Sequence, residues 1–270
     1  TYGPFPAPQP NVDVEFQKIS EAGFQAVRLY EAPSRRLLEA AEKHNLILFI
    51  GLHWQWSRAF VGDGADTYWH EARVNFLDEL KIWGNHPAVA AIYVANEIPS
   101  DVARWMGLSE TCQALDELIS DLRGAHPHLL YAYSGYPSSE YLEPALADFT
   151  AMNVYLEEKA KLQAYLAHLH HVSGDRPVLL SEFGLDSLRN GEERQAEIIG
   201  WQLYLMRNAG IAGATIFAWS DNWRKGTESV DDWNFGLTNR EGQKKIALTV
   251  ASKPYSLPSL SRYPMISVII

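Results

Sequence analysis

The sequence is poor in cysteine and has no membrane-length apolar segment. Cys112 is the single cysteine among 270 residues, so neither an intrachain disulfide nor a cysteine-rich metal site can form. No apolar run reaches the ~18 residues of a membrane span, and no signal peptide opens the chain, which does not begin with Met. These absences slightly favour the cytoplasm, although a disulfide-free periplasmic protein has the same composition.

Basic residues are also scarce. Lys and Arg number 23 against 33 Asp and Glu, and the formal net charge of −10 argues against nucleic acid or an anionic membrane as the main partner. The nine histidines are scattered and offer no coherent set of metal ligands, so we expect neither a metal nor a cofactor. With 47% hydrophobic and only 21% charged residues, the chain is expected to fold around one sizeable core.

Apolar runs of strand length alternate with segments of helical periodicity, which predicts a parallel sheet. The strands are predicted at residues 26–30, 46–52, 89–95, 129–133, 149–155, 177–183 and 213–219. Tyr2-Gly3-Pro4 would be the clipped end of an eighth strand, placed first in the chain. Eight strand–helix units make a (β/α)8 TIM barrel. The alternative is an open doubly wound sheet, whose Gly-rich phosphate loop is missing here.

The end of the chain departs from this pattern, and we expect the barrel to occupy residues 1–253. Residues 254–270 begin with a segment rich in proline and serine, typical of a linker, and end in a β-prone run from Met265 to Ile270. That run is either an edge strand packed on the barrel or the first strand of a following domain. We favour the second interpretation, because an exposed terminal apolar strand is an aggregation hazard.

Two of the apolar runs end in a carboxylate. Asn96-Glu97 follows the fourth strand of the predicted barrel, and Glu182 ends the seventh. Both would lie at the C-terminal face of the barrel, where barrel enzymes carry their active sites. A protonated and an ionised carboxyl group facing each other form the catalytic pair of a glycosidase, and about 5–5.5 Å between them is the retaining geometry. The sequence therefore predicts a retaining glycosidase site.

Asn96-Glu97, Glu182 and Trp219 in these strand positions resemble clan A of the glycoside hydrolases, and are most similar to the family-two type of β-glycosidase. The resemblance covers Arg28 to Trp219. It implies that Glu97 is the acid/base, that Glu182 is the nucleophile and that Asn96 binds the sugar 2-hydroxyl. It further implies that Arg28 and Tyr155 hold the nucleophile ionised and oriented, with a β-linked oligo- or polysaccharide as substrate.

The last residues carry a second resemblance. The segment from Tyr263 to Ile270, with Pro264 followed by Ile-Ser-Val-Ile-Ile, is similar to the first strand of family-two glycosyltransferases. It implies a glycosyltransferase domain fused to the barrel, in which case the barrel would rearrange a newly made β-glucan as a transglycosylase.

Further residues at or after strand ends suit a glycan site. We expect Trp219 to be a sugar platform, while for Trp54 and Trp223 stacking on a sugar and ordinary burial are equal alternatives. His53 is either a ligand of a sugar hydroxyl or a satisfied polar group at the rim. Glu140, in the loop after the fifth strand, either lines the site or is solvated.

Three functions follow from these residues. The first is a retaining β-glycosidase or transglycosylase that acts through Glu97 and Glu182. The second is a glycan-binding barrel without catalysis, which would keep the aromatic residues and tolerate loss of either Glu. The third is a metal-dependent hydrolase, which a chelator would inactivate.

Overall fold

In a computed structural model that describes residues 11–54, 65–225, 228–252 and 268–269, seven parallel strands follow one another around a nearly closed barrel. Each strand pairs with the next one along the chain. They are β1 Ala26–Leu29, β2 Ile47–Gly51, β3 Val89–Asn96, β4 Leu130–Gly135, β5 Thr150–Asn153, β6 Val178–Phe183 and β7 Gly213–Ile216. The predicted α/β barrel is confirmed, and β1 to β7 correspond to its strands two to eight.

Helices cover the outside of the barrel. They are α1 Val12–Glu21, α2 Arg35–Lys43, α3 Ala65–Trp83, α4 Ser100–Met106, α5 Leu108–Ala125, α6 Lys159–Val172, α7 Ser187–Asn190, α8 Glu192–Asn208 and α9 Ile246–Ala251. Helix α2 shows the local logic, because the Ser34 side chain caps its first turn by accepting from the Leu37 amide while Leu37, Leu38 and Ala41 turn inward. Between β4 and β5 a 3₁₀ turn at Glu140–Leu142 takes the place of a helix.

The core has two layers, because alternate residues of each strand point to opposite faces. The outer faces of the strands and the inner faces of the helices form the larger layer. A smaller cluster fills the inside of the barrel with alanines and aromatic rings: Ala26, Phe49, Ala91, Tyr93, Ala132, Phe149 and Ala151. This plug supports the polar residues at the C-terminal ends of the strands.

A long loop, here called the excursion, connects β7 to α9. It contains an antiparallel hairpin of β8 Trp223–Lys225 and β9 Glu228–Val230. Asp221 at its start forms a buried ion pair with Lys245, 2.6 Å from Nζ to Oδ2, and its Oδ1 accepts from the Gly236 amide. The two ends of the excursion are therefore tied together beside the barrel.

The edge of β7 is occupied by a segment from the end of the sequence. Val268–Ile269, β10, pairs in parallel with Gly213 and Ala214. Tyr2-Gly3-Pro4, predicted as the first strand, lies outside the described residues, as does most of the predicted linker. The prediction that a second domain begins in this segment stays a prediction. Across the described ranges, no helix is long and apolar enough to cross a membrane.

Candidate active site

A fully buried arginine lies at the centre of the polar cluster. Arg28, on β1, forms an ion pair with Glu182, 2.9 Å from Nη1 to Oε1, and donates from Nη1 to the Ser181 carbonyl oxygen at 2.7 Å. The rings of Tyr30 and Tyr93 each lie 4.6 Å from the guanidinium carbon. A buried charge is costly unless it is paired and hydrogen-bonded, and Arg28 has both kinds of partner.

Glu182, at the end of β6, is held by three donors. Besides Arg28, the Tyr30 hydroxyl donates to Oε1 and the Tyr155 hydroxyl to Oε2, both at 2.7 Å. The residue is only 7% exposed. Burial of the Tyr155 hydroxyl and the negative charge of Glu182 raise the pKa of Tyr155 well above its usual value, so the tyrosine remains a donor. The carboxylate is therefore fixed in orientation.

Glu97 lies in a different environment just after β3. The residue as a whole is exposed, but its carboxyl group is partly buried, and Oε1 accepts from Asn153 Nδ2 at 2.8 Å. Partial burial of the carboxyl and the nearby charge of Glu182 raise the pKa of Glu97, and the Asn153 hydrogen bond and Arg28 counteract only part of this rise. The surroundings of Glu97 thus favour its protonated form.

Local irregularities bring consecutive residues to the same cluster. On a regular strand Asn96 and Glu97 would point to opposite faces, but Glu97 has a φ of 47° and both side chains accept from Asn153 Nδ2. The register of β6 shifts after Leu180, and the Ser181 hydroxyl donates to Asn153 Oδ1 while the Glu182 carboxylate pairs with Arg28. Such bulges and rare backbone conformations re-aim side chains at functional sites.

A cavity of about 340 Å³ opens beside Glu97. Its lining consists of Glu97, Tyr136, Pro137, Asn153, Tyr155 and Leu156. This volume lies at the lower end of the range for small-molecule sites, roughly 300–1,000 Å³. The cavity therefore offers space for a small polar ligand next to the Glu97 carboxyl group, whose pKa is raised.

An aromatic wall lies on the Glu182 side of the site. Phe217, just after β7, packs edge-on against both Tyr30 and Tyr155, with ring centroids 6.4 Å apart in each pair. Trp223 lies 5.6 Å from Tyr30 and 4.8 Å from Phe217, and is half-buried. Trp233 extends the wall at 5.3 Å from Phe217. Of the three predicted tryptophans, Trp223 is therefore the one that the structure brings to the site.

The other two predicted tryptophans lie elsewhere. Trp219 is 4% exposed, its indole NH donates to Glu15 of α1 at 2.6 Å, and its ring packs edge-on against Phe24. Enclosed in this way, Trp219 presents little surface to a ligand, and its role as a sugar platform stays a prediction that this burial does not support. Trp54 is 6% exposed, and its indole NH donates to the Val94 carbonyl oxygen while its ring packs against α3.

The described contacts of His53 and Glu140 are made with residues other than the carboxylate pair. His53 is exposed after β2 and faces α3, where burial raises the pKa of Glu79 and His53 counteracts part of that rise. Glu140 accepts hydrogen bonds from the Tyr165 hydroxyl of α6 and from the Ser138 amide. Despite partial burial, these bonds lower the pKa of Glu140, so it is a structural acceptor in this loop.

The sequence analysis missed several members of the cluster. They are Tyr30, Ser134, Asn153, Ser181 and Phe217. Tyr30 lies two residues after Arg28 and Asn153 two residues before Tyr155, so the predicted strands 26–30 and 149–155 place each on the same face as its neighbour. Ser134 and Ser181 carried no such signal. Among the residues that the structure describes, no group of three or more His, Cys, Asp or Glu side chains could hold a metal ion.

No protein-family profile and no curated protein sequence matches the chain, but solved structures share its fold. A β-glucuronidase from Bacteroides uniformis matches with a TM-score of 0.72 at 17% identity, over 86% of this chain and 31% of that one. Ruminococcus gnavus β-glucuronidase in complex with D-glucuronic acid matches with a TM-score of 0.71 at 15% identity, over 88% and 44% of the two chains.

A third match is a GH5_18 variant from Streptomyces cattleya in complex with Manβ1-4GlcNAc, with a TM-score of 0.70 at 15% identity, over 89% of this chain and 73% of that one. At such identities the likeness establishes the fold alone. The chain spans less than half the length of the two glucuronidases. It is structurally similar to clan A glycoside hydrolases, in particular to β-glucuronidases of family GH2 and to family GH5.

Proposed function

We propose that the chain is a retaining β-glycoside hydrolase in which Glu182 is the nucleophile and Glu97 the acid/base. The observation that carries the proposal is the contrast between the two carboxyl groups. Glu182 is held by Arg28, Tyr30 and Tyr155, whereas the surroundings of Glu97 raise its pKa. Two carboxyl groups with different environments at one site are the pattern of acid and nucleophile in glycosidases.

In the first step a Glu182 oxygen attacks the anomeric carbon while Glu97 gives its proton to the departing oxygen, leaving a covalent glycosyl–enzyme. In the second step Glu97, now ionised, takes a proton from water, and the water oxygen displaces Glu182. Asn96 suits a role in binding the sugar 2-hydroxyl, because its Oδ1 accepts from Arg28 and Asn153, which leaves its Nδ2 as the group for a ligand.

We infer a β-linked glucan or oligosaccharide as substrate. Sugars present apolar C–H faces to aromatic rings, and the rings of Phe217, Trp223 and Trp233 form a wall beside the nucleophile. The cavity beside Glu97 favours transglycosylation as a second candidate, because a sugar hydroxyl bound there would take the place of water in the second step.

The test is a panel of aryl β-glycosides, including glucoside, mannoside and glucuronide, together with β-linked oligosaccharides. We expect Glu182→Gln to lose at least about 10³-fold in kcat, and Glu97→Ala to regain turnover of an activated aryl glycoside with azide, giving a β-glycosyl azide. Glu193→Gln, exposed on α8, is the matched control and should retain full activity.

The products separate the candidates. Released reducing sugar indicates hydrolysis, and longer oligosaccharides indicate transglycosylation. Binding of an oligosaccharide without any turnover would identify a glycan-binding barrel, and full activity of Glu182→Gln would refute the assignment of the nucleophile.

A further inference from the structure

Asn153 contacts both halves of the candidate site. It lies at the end of β5 and is 1% exposed. Its Nδ2 donates to Glu97 Oε1 at 2.8 Å and to Asn96 Oδ1 at 3.1 Å. Its Oδ1 lies 3.2 Å from Arg28 Nη1, and Arg28 in turn is paired with Glu182. Two side chains, Asn153 and Arg28, therefore link the two carboxyl groups.

The orientation of this amide follows from the chemistry of its neighbours. A guanidinium group only donates hydrogen bonds, so the atom of Asn153 that faces Arg28 Nη1 must be the carbonyl oxygen. The hydroxyls of Ser134 and Ser181, at 3.0 and 2.8 Å from the same oxygen, are consistent with this assignment. The NH₂ group must then face Glu97 and Asn96. The permanent charge of Arg28 thus fixes a donor against the carboxyl group of Glu97.

We propose that Asn153 is a positioning residue: its amide fixes the orientation of the Glu97 carboxyl group, so that the acid proton is carried on Oε2. An amide NH₂ cannot accept a proton or a hydrogen bond, so Oε1, which faces it, is the unprotonated oxygen of the acid. Oε2 then gives its proton to the departing oxygen and takes one from water in the following step. The assignment of this role rests on the proposed function of Glu97.

The test compares two substrates of the same sugar, chosen as the best in the panel above. The dinitrophenolate of a dinitrophenyl glycoside departs without being protonated, whereas the leaving group of a disaccharide is an alcohol and needs a proton. For Asn153→Ala and Asn153→Asp we expect kcat/KM on the disaccharide to fall by about 10²-fold, the scale of general acid catalysis, and on the dinitrophenyl glycoside by much less.

The pH profile gives a second readout. Among the residues that the structure describes, Glu182, Arg28, Tyr133 and Tyr155 interact electrostatically with Glu97, and Tyr136 lines the cavity beside it. Loss of the Asn153 donor removes a contact that favours the ionised acid. The basic limb of kcat/KM on the disaccharide should therefore move to higher pH, further in Asn153→Asp, which adds a negative charge. If kcat/KM falls equally on both substrates and the basic limb of the pH profile does not move, the role of Asn153 is merely structural and the proposal is overturned.

Asn208→Asp, at the exposed end of α8, controls for the added charge and should leave both readouts unchanged. If Asn153→Ala does not fold, the test rests on Asn153→Asp, whose carboxylate can still accept the hydrogen bond from Arg28. A titration of ¹³C-labelled glutamate, with Glu97 assigned through Glu97→Gln, tests the contact directly. If the Glu97 titration is unshifted in Asn153→Asp, the role of Asn153 is refuted, whether or not the wild type hydrolyses a glycoside. If the wild type hydrolyses no glycoside, it is the proposed function that is refuted.

Discussion

Arg28→Met should destabilise the protein far more than the loss of one surface ion pair. The substitution keeps a long apolar side chain but removes the cation that pairs with Glu182 at 2.9 Å. Both partners are buried, with side-chain exposures of 0% for Arg28 and 9% for Glu182. The variant would leave the Glu182 carboxylate and the Ser181 carbonyl oxygen without their charged donor.

The expected cost follows from that burial. Breaking a buried pair by removing one partner costs about 3–5 kcal/mol, because the other charge stays uncompensated. At about 2–4 °C per kcal/mol, the melting temperature should fall by roughly 6–20 °C. Arg35→Met is the matched control, because the Arg35–Glu39 pair is 91% and 59% exposed and should contribute less than about 1 kcal/mol.

The assay is urea unfolding of Arg28→Met, Glu182→Gln and the double variant. Arg28→Met leaves the Glu182 carboxylate without its cation, and Glu182→Gln removes that negative charge. The double variant should therefore be more stable than Arg28→Met by roughly 1–3 kcal/mol. Equal costs for Arg28→Met and Arg35→Met would refute the reasoning. So would a double variant no more stable than Arg28→Met, because the two charges would then be energetically independent.

Three further predictions concern single residues. Tyr155→Phe removes the hydroxyl that donates to Glu182 at 2.7 Å, and kcat should fall roughly ten- to hundredfold with little change in KM. Burial raises the pKa of Glu143 from 4.5 to about 7, so ionisation is harder in the folded state and stability should fall as pH rises through this window. Glu143→Gln should lack that fall in stability. If the urea midpoints of the wild type and of Glu143→Gln change in parallel between pH 4.5 and 8, this prediction is contradicted. Trp223→Ala should raise KM for oligosaccharides severalfold, whereas the buried Trp219→Phe should not; isothermal titration with inactive variants checks both.

The strands and the carboxylate positions could be predicted because their signals are local. A buried parallel strand is a continuous apolar run, and such a run ending in Asn96-Glu97 or Ser181-Glu182 marks an unusual charge at a strand end. Arg28 and Tyr155 lie near the ends of other strands. These features need no knowledge of which strands are neighbours.

Prediction was weaker where strand geometry ends. The sequence predicts a last strand that reaches Trp219, but β7 stops at Ile216, and beyond that residue alternation no longer sets the direction of a side chain. Phe217 therefore faces the site, whereas Trp219 packs against α1. The role of Asn153 depends on contacts with Arg28 on β1 and with Glu97 just after β3, which one strand's sequence cannot reveal.

The cluster around Arg28 has a consequence for the order in which the protein folds. Arg28 contacts Ser181 and Asn153 across 153 and 125 residues of chain, and its partners lie on β3, β4, β5 and β6. Each of these contacts closes a long loop, and such non-local contacts form slowly. Helices can form in a chain that is still open, but the carboxylate pair is assembled only when β6 docks. During refolding, activity should therefore return later than helical circular dichroism.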